Sequence, residues 1–507
     1  MKSKFYLTLV LLLSITAFSV SHFRENYFFR LILPIGIAIL WLVSQNKRAA
    51  ALFIIISLPF TGLEVFRLAG KSITLPFVSV VPGIISLLPF SGPGLTKHTR
   101  IFTGFLLCFI LWGILSCQAR FFYDSTGFAG MKNLTQTGYL IFAAAAFLTF
   151  YGLIKKSGSQ GWRFFARAFV ITAAVHAFYA LFQAVYFHLT GSVIDLFRNA
   201  NIYSHFRPSS AIHSWTGIFR VSGTFPEPVM MSGFTLFAFF LISPLVFKNP
   251  FARFTLSALL LFAGFLTSSR TFFAVFIILF ILKHLLIYLL KQMPIQAGTI
   301  VFVSLFALGL IFLPGIYLSR PDTCAGLSQI INAAPFINQA RAGRLSRIFS
   351  DGSVTSRFSE MTEVLKGLKA HPFMGTGLGS YGTFKSRYSH EKGPYSNDFI
   401  PCANSWLLVI ILETGLIGFL LFSFSFLSLF YFLILILFSE FSGPAYNRVN
   451  ASALINAACL VPGIYLYWIG YGGLNFTFIW LACAIICSIG DDFICKNTFF
   501  YSKVLVL

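Results

Sequence analysis

The chain has 507 residues, 57% of them hydrophobic and 10% charged, with a mean hydropathy of +0.82. That balance excludes a soluble enzyme of several domains and describes a polytopic membrane protein. A formal charge of +22 would point to nucleic acid in a soluble chain, but here Lys and Arg are scattered between apolar segments without a basic run or a nucleic-acid motif, which excludes that partner.

Taken in order, the chain opens on Met1-Lys-Ser-Lys4 and an apolar run to Val20. There is no clear small-x-small cleavage site, and another apolar segment follows closely. The start therefore reads as an uncleaved first helix whose Lys2 and Lys4 stay in the cytoplasm. A spanning helix needs roughly 20 apolar residues. Candidate segments lie near 5–20, 29–44, 49–63, 73–90, 101–117, 138–154, 167–187, 230–247, 254–268, 271–290, 298–318, 405–437, 451–469 and 473–489. The expected fold class is an all-α polytopic integral membrane protein with about 12–14 transmembrane helices and one large extracytoplasmic loop. The segment 49–63 is short. The segment 405–437 is long and broken by Glu413-Thr-Gly415, as a short surface helix followed by the true span would be. Short connectors expected inside carry Lys47, Arg48, Lys97, Arg100, Lys155, Lys156, Lys248, Arg253, Lys291 and Arg448; those expected outside carry Arg24, Arg30, Arg67, Lys71, Arg120, Lys132 and Arg270. The bias favours a cytoplasmic N-terminus.

Residues 1–186 read as a transmembrane scaffold carrying little chemistry, and the informative charged motifs fall within 187–437. The loop from Phe187 to Val229 ends in Arg220-Val-Ser-Gly-Thr-Phe-Pro-Glu-Pro228, directly ahead of an apolar helix. Thr267-Ser-Ser-Arg270 fills a tight turn between two spans, where an arginine with no acidic neighbour asks for an anionic partner. The large loop, 319–403, is mostly polar and net positive. It contains Arg357-Phe-Ser-Glu360 and His371-Pro-Phe-Met-Gly-Thr-Gly-Leu-Gly-Ser-Tyr381, and closes through Cys402-Ala-Asn-Ser405. Span parity puts all three loops on the outer face, so Glu227, Arg270 and Arg357 are expected at one membrane-water boundary. Residues 438–507 add C-terminal transmembrane helices and a short cytoplasmic tail.

In these residues the chain resembles the O-antigen ligase and polymerase family of bacterial envelope proteins, over roughly residues 190 to 437. The resemblance rests on Arg220 with Gly223-Thr-Phe-Pro-Glu-Pro228, on Ser269-Arg270 opening a span, and on Arg357 through His371-Pro with Gly375, Gly377 and Gly379. Asn404 and Glu413-Thr-Gly-Leu-Ile-Gly418 complete it. It implies an enzyme of the bacterial inner membrane, active on the extracytoplasmic face. Such an enzyme takes a glycan from undecaprenyl diphosphate and joins it to another saccharide, without a nucleotide sugar. Its partners would be undecaprenyl-diphosphate-linked glycans and membrane lipid, with flippase and chain-length regulator proteins as further candidates. Ligases that act on the lipid A core typically have a histidine immediately before the asparagine, and here that position is Ala403. Glu227-Pro228 after Gly-Thr-Phe looks more like the repeat-unit polymerases. The expected activity is therefore polymerisation of repeat units, with ligation to an acceptor lipid, or a flippase or other transporter, as alternatives. A transporter would spread polar residues through broken midplane helices, whereas these charges gather at one surface.

The chemistry has bland counterparts. A departing diphosphate needs its charge met, and guanidinium groups grip phosphate through two hydrogen bonds. Arg220, Arg270 and Arg357 are the candidates, and the alternative is interfacial arginines reaching for lipid phosphate. Glu227 is the candidate base for the acceptor hydroxyl, against a role at the start of the helix that begins at Pro228. His371 reads as a base or a helix stop, and the glycine series as a phosphate loop or as tight turns. Glu413 reads as a functional acid or a helix-end cap. The histidines lack metal-ligand spacing, so neither a metal nor another cofactor is expected. Of eight cysteines, only Cys324 and Cys402 lie in the large loop, at its two roots. An oxidising envelope permits a disulfide between them, and two free thiols are the other reading.

Overall fold

The structure is a computed structural model that describes residues 47–61, 64–68, 71–80, 94–121, 127–158, 160–192, 219–225, 227–292, 364–381, 405–442, 448–470 and 477–496. The expected spans 5–20, 29–44 and 298–318 lie outside these residues, as do Arg357, Cys324, Ala403 and Cys402 in the large loop.

Apolar runs of the expected kind fold as helices. In chain order these are α1 (Lys47–Ser57), α2 (Lys97–Phe121), α3 (Gly127–Lys156), α4 (Gly161–Thr190), α5 (Pro228–Leu241), α6 (Pro250–Leu266), α7 (Arg270–Gln292), α8 (Trp406–Ser442), α9 (Arg448–Gly470) and α10 (Thr477–Lys496). Among the described residues, seven helices are long and apolar enough to cross a membrane, and α5 and α6 are shorter apolar helices. The protein is an all-α polytopic membrane protein in its transmembrane body. One small antiparallel hairpin, β1 (Glu64–Leu68) with β2 (Lys71–Thr74), interrupts the N-terminal helices. It takes up the start of the segment expected as a span from residue 73, and α1 ends at Ser57 because a helix does not run comfortably into Pro59.

The bundle is organised around α9 and α10, which are buried nearly throughout. α9 packs on α5, α7, α8 and α10, while α10 also packs on α3. α2 and α8 run antiparallel, with Phe102 against Phe426 at 5.8 Å and Phe109 against Phe422 at 5.2 Å. Outward faces are apolar, with Leu107, Leu111 and Leu115 on α2 and Val175, Phe178, Phe182, Val185 and Leu189 on α4 all exposed. Stripes of this kind suit lipid and would aggregate in water.

The two ends of the bundle differ. At one end, the α10 carboxylate Asp491 is fully buried. It accepts from Thr96 and Tyr151 at 2.5 Å each, lies 2.7 Å from His98 Nε2 and pairs with the Lys155 ammonium. Trp162 donates to the neighbouring Asp492 at 3.1 Å. One carboxylate thus ties the start of α2 and the end of α3 to the end of α10. At the opposite end lie the starts of α5, α7, α8 and α10, the ends of α6 and α9, and the later turns of α4. Tyr467 donates to the Val229 carbonyl at 2.6 Å, and the Trp406 and Trp468 rings are 5.1 Å apart. Removing one member of a buried ion pair strands the others and costs about 3–5 kcal/mol. Asp491→Ala should therefore lower the thermal unfolding midpoint of the detergent-extracted protein sharply, and an unchanged midpoint would show that the network carries no stability.

Candidate active site

The first part of the site is the segment from Phe219 to Glu227, which runs against α4 before α5 begins. Phe219 stacks on Phe187 with rings 4.7 Å apart. Gly223 N–H donates to Gln183 Oε1 at 2.9 Å, Gln183 Nε2 donates to the Gly223 carbonyl at 3.2 Å, and Thr224 Oγ1 is 3.0 Å from His176 Nδ1. Gly223 has φ +59, in the region that favours glycine. On its other side, Val221 N–H donates to the Leu266 carbonyl at 3.3 Å and Arg220 Nε to the Thr267 carbonyl at 3.1 Å. Non-helical backbone is thus buried between two helices, with Val221 N–H and both backbone polar groups of Gly223 taken up by protein.

Arg220 stands at the head of this segment. Burial draws its guanidinium below the ordinary arginine value, with Glu227 opposing that shift and Arg270 adding to it. Arg220 is bonded to the turn that leads into Arg270 and lies on the same segment as Glu227, so three of the residues singled out in the sequence share one neighbourhood. Glu227 occupies the N-cap position of α5 with Pro228 behind it, but its side chain makes no capping hydrogen bond. Its position matches the bland expectation, while its carboxylate does not do the capping.

Arg270 opens α7 and is exposed. The turn ahead of it is held by Thr267 Oγ1, which donates to the Gly264 carbonyl at 2.6 Å, and by Ser269 Oγ, which accepts from Phe272 N–H at 3.3 Å as a helix cap. Ser268 adopts φ +49 to make the reversal. A cation in the first turn opposes the helix dipole, whereas an anion placed there would meet both the guanidinium and the helix N-terminus.

The second part of the site is the turn His371–Tyr381 docked on a break in α8. Gly415 has φ +67 inside that helix, so the carbonyls of Leu412, Glu413 and Thr414 lose the partners a continuous helix would supply. The turn and α2 replace them. Thr376 N–H donates to Leu412 O at 2.8 Å, Gly377 N–H to Glu413 O at 2.9 Å, and Trp112 Nε1 to Thr414 O at 2.9 Å; Leu416 N–H donates to Pro372 O at 2.9 Å. The Glu413 carboxylate, 4% exposed, accepts from Tyr381 N–H at 3.0 Å. Gly375, Gly377 and Gly379 all have positive φ, and the series is a set of tight turns seated on the break. His371 is exposed at the end of the helical turn 364–370, the helix-stop position.

A family model described as O-antigen ligase matches residues 255–423. Over that stretch the chain is similar to the O-antigen ligase family. No curated protein matches the chain. The matched stretch takes in the Arg270 turn, the His371–Tyr381 turn and the α8 break, while Arg220 and Glu227 lie upstream of it.

The structure thus brings Arg220, Glu227 and Arg270 together, and separately His371 and Glu413. At the end of α9, Tyr467 holds the first turn of α5 through the Val229 carbonyl, and Trp468 packs on Trp406 at the start of α8. Sequence reasoning missed Gln183, His176 and Trp112, although a glutamine and a histidine inside an apolar span are the kind of signal that marks a functional region. At Gly375, φ is +71 and an added Cβ would lie 2.4 Å from Gly415 N and 2.6 Å from Leu412 O. Gly375→Ala should undock the turn, at a cost above the ~1–2 kcal/mol of left-handed backbone alone. Tryptic cleavage at Lys366 and Lys369 should become several-fold faster, and an unchanged rate would show that the docking does not need this glycine.

Proposed function

We propose that this protein is a membrane glycosyltransferase that polymerises undecaprenyl-diphosphate-linked oligosaccharide repeat units of a bacterial surface polysaccharide, such as O-antigen, capsule or exopolysaccharide. It would work on the outer face of the inner membrane. The observation that carries the reading is the convergence of Arg220, Glu227 and Arg270 at one end of a membrane bundle in which the stretch similar to the O-antigen ligase family begins beside them. The opposite end carries Lys97, Arg100, Lys155, Lys156, Arg163, Arg167, Lys248 and Arg253, which suits a cytoplasmic face by the positive-inside rule. In this reading residues 187–437 are the catalytic region and 1–186 support it.

Arg220 and Arg270, joined by Arg357 from the large loop, grip the diphosphate of the donor. The acceptor hydroxyl attacks the anomeric carbon, and the bond from that carbon to the diphosphate oxygen breaks. The diphosphate leaves with the electron pair, its charge met by the guanidinium groups and the N-terminus of α7. Glu227 takes the hydroxyl proton. His371 and Glu413 serve the docked turn. A flippase supplying units and a chain-length regulator are the partners this reaction calls for.

The family description favours one second reading, transfer of a finished glycan to an acceptor lipid. Ala403 argues against it, because the histidine typical of the lipid A core ligases is absent there. The two readings separate in a deletion strain. Loss of a polymerase leaves surface glycan stalled at a single repeat unit, whereas loss of a ligase leaves long chains on the lipid carrier, and the first pattern is expected. Glu227→Gln should lower chain growth by about 10²- to 10⁴-fold while donor binding persists. Arg270→Lys should impair it as well, since a point charge cannot give the two-pronged phosphate contact. Full activity of Glu227→Gln would sink the proposed mechanism.

A further inference from the structure

The side chains that hold the Arg220–Glu227 segment come from α4, a helix outside the stretch similar to the O-antigen ligase family. Gln183 is 1% exposed within a span that is otherwise mostly apolar. Its amide accepts from Gly223 N–H and donates to Gly223 C=O, so one side chain satisfies both backbone polar groups of a buried turn residue. Two turns earlier on the same face, His176 meets Thr224, with its ring edge-on to Phe60 at 5.4 Å. Ala177, Ala180 and Ala184 lie between and beside them, all buried, and their small side chains let the backbone approach α4 closely. An added Cβ at Gly223 would lie 3.0 Å from Met231 Sδ and 3.5 Å from the His176 carbonyl.

Backbone satisfaction alone would not fix where this pairing falls. It falls between Arg220 and Glu227, on the residue whose φ sets the direction of the chain between them. We infer that Gln183 is a positioning residue for the transfer reaction, supported by His176: its amide fixes the Gly223 backbone and thereby the placement of Glu227 relative to Arg220. The inference rests on the roles of Arg220 and Glu227 proposed above. Arg220 and Val221 keep their own bonds to the end of α6, so release of Gly223 frees the Glu227 side of the segment more than the arginine side. Turnover should then suffer more than donor binding.

The test uses purified full-length protein in detergent, at matched amounts of monodisperse material, with a defined undecaprenyl-diphosphate oligosaccharide as donor. Gln183→Leu should lower turnover by about 10- to 100-fold, the scale of a slight misplacement of reacting groups, with the donor KM within about threefold of wild type. Gln183→Glu, which in protonated form keeps one donor and one acceptor, should recover turnover to within about fivefold. Hydrogen exchange should quicken across 219–227 in Gln183→Leu and stay unchanged in α8, α9 and α10. Wild-type turnover in Gln183→Leu overturns the inference. So does exchange that quickens throughout the protein with no rescue by Gln183→Glu, the mark of a merely structural role. Full turnover in Glu227→Gln is the separate failure of the functional reading, and it takes the positioning role with it.

Discussion

In lipid there is no water to satisfy a backbone N–H or C=O, so any chain that leaves helical geometry inside a membrane protein must find a partner for each polar group within the protein. The architecture around the candidate site follows from that constraint at two places. The 219–227 segment is taken up by Gln183 on one side and by the end of α6 on the other. The break at Gly415 is closed by the His371–Tyr381 turn and by Trp112. Both irregular pieces are buried in protein, which lets polar and charged groups stand at the head of an otherwise apolar bundle.

The same constraint explains the glycines. Gly375 and Gly415 face each other so closely that a Cβ on either would fall within 2.6 Å of the other's backbone nitrogen. The mutual hydrogen bonds require that approach, and the positive φ at both positions makes the reversal affordable. The glycine-rich run therefore builds a joint between the large loop and α8.

The two ends of the bundle use charge in opposite ways. The Asp491 carboxylate is matched within the protein by His98, Lys155 and Tyr151, and it acts as a tie between three helices. Around Arg220, Arg270 adds a second positive charge to set against the Glu227 carboxylate among the described residues, and burial works against the guanidinium's charge. In the function proposed, an anionic donor would relieve that imbalance.

Much of this was legible in the sequence because lipid leaves a strong signature: long apolar runs, cations biased to one side, and Gly or Pro where a helix must stop. The described helices from 97 onward, the break at Glu413-Thr-Gly415 and the turn-forming role of the Gly375 series follow from that local chemistry. The sequence also singled out Arg220, Glu227 and Arg270, since charges bordering apolar helices stand out. Two things escaped it. The β1–β2 hairpin falls where an apolar count expected the start of a span, because four paired residues leave too short a pattern to read. The contributions of Gln183, His176 and Trp112 depend on contacts between residues up to about three hundred positions apart, as with Trp112 and Thr414, and local pattern carries no record of such pairings. The sequence by itself determined that this chain crosses a membrane and which charges lie at its edges, because burial in lipid is decided residue by residue. Only the tertiary structure decided which of those charges meet, because their meeting depends on how separate helices pack.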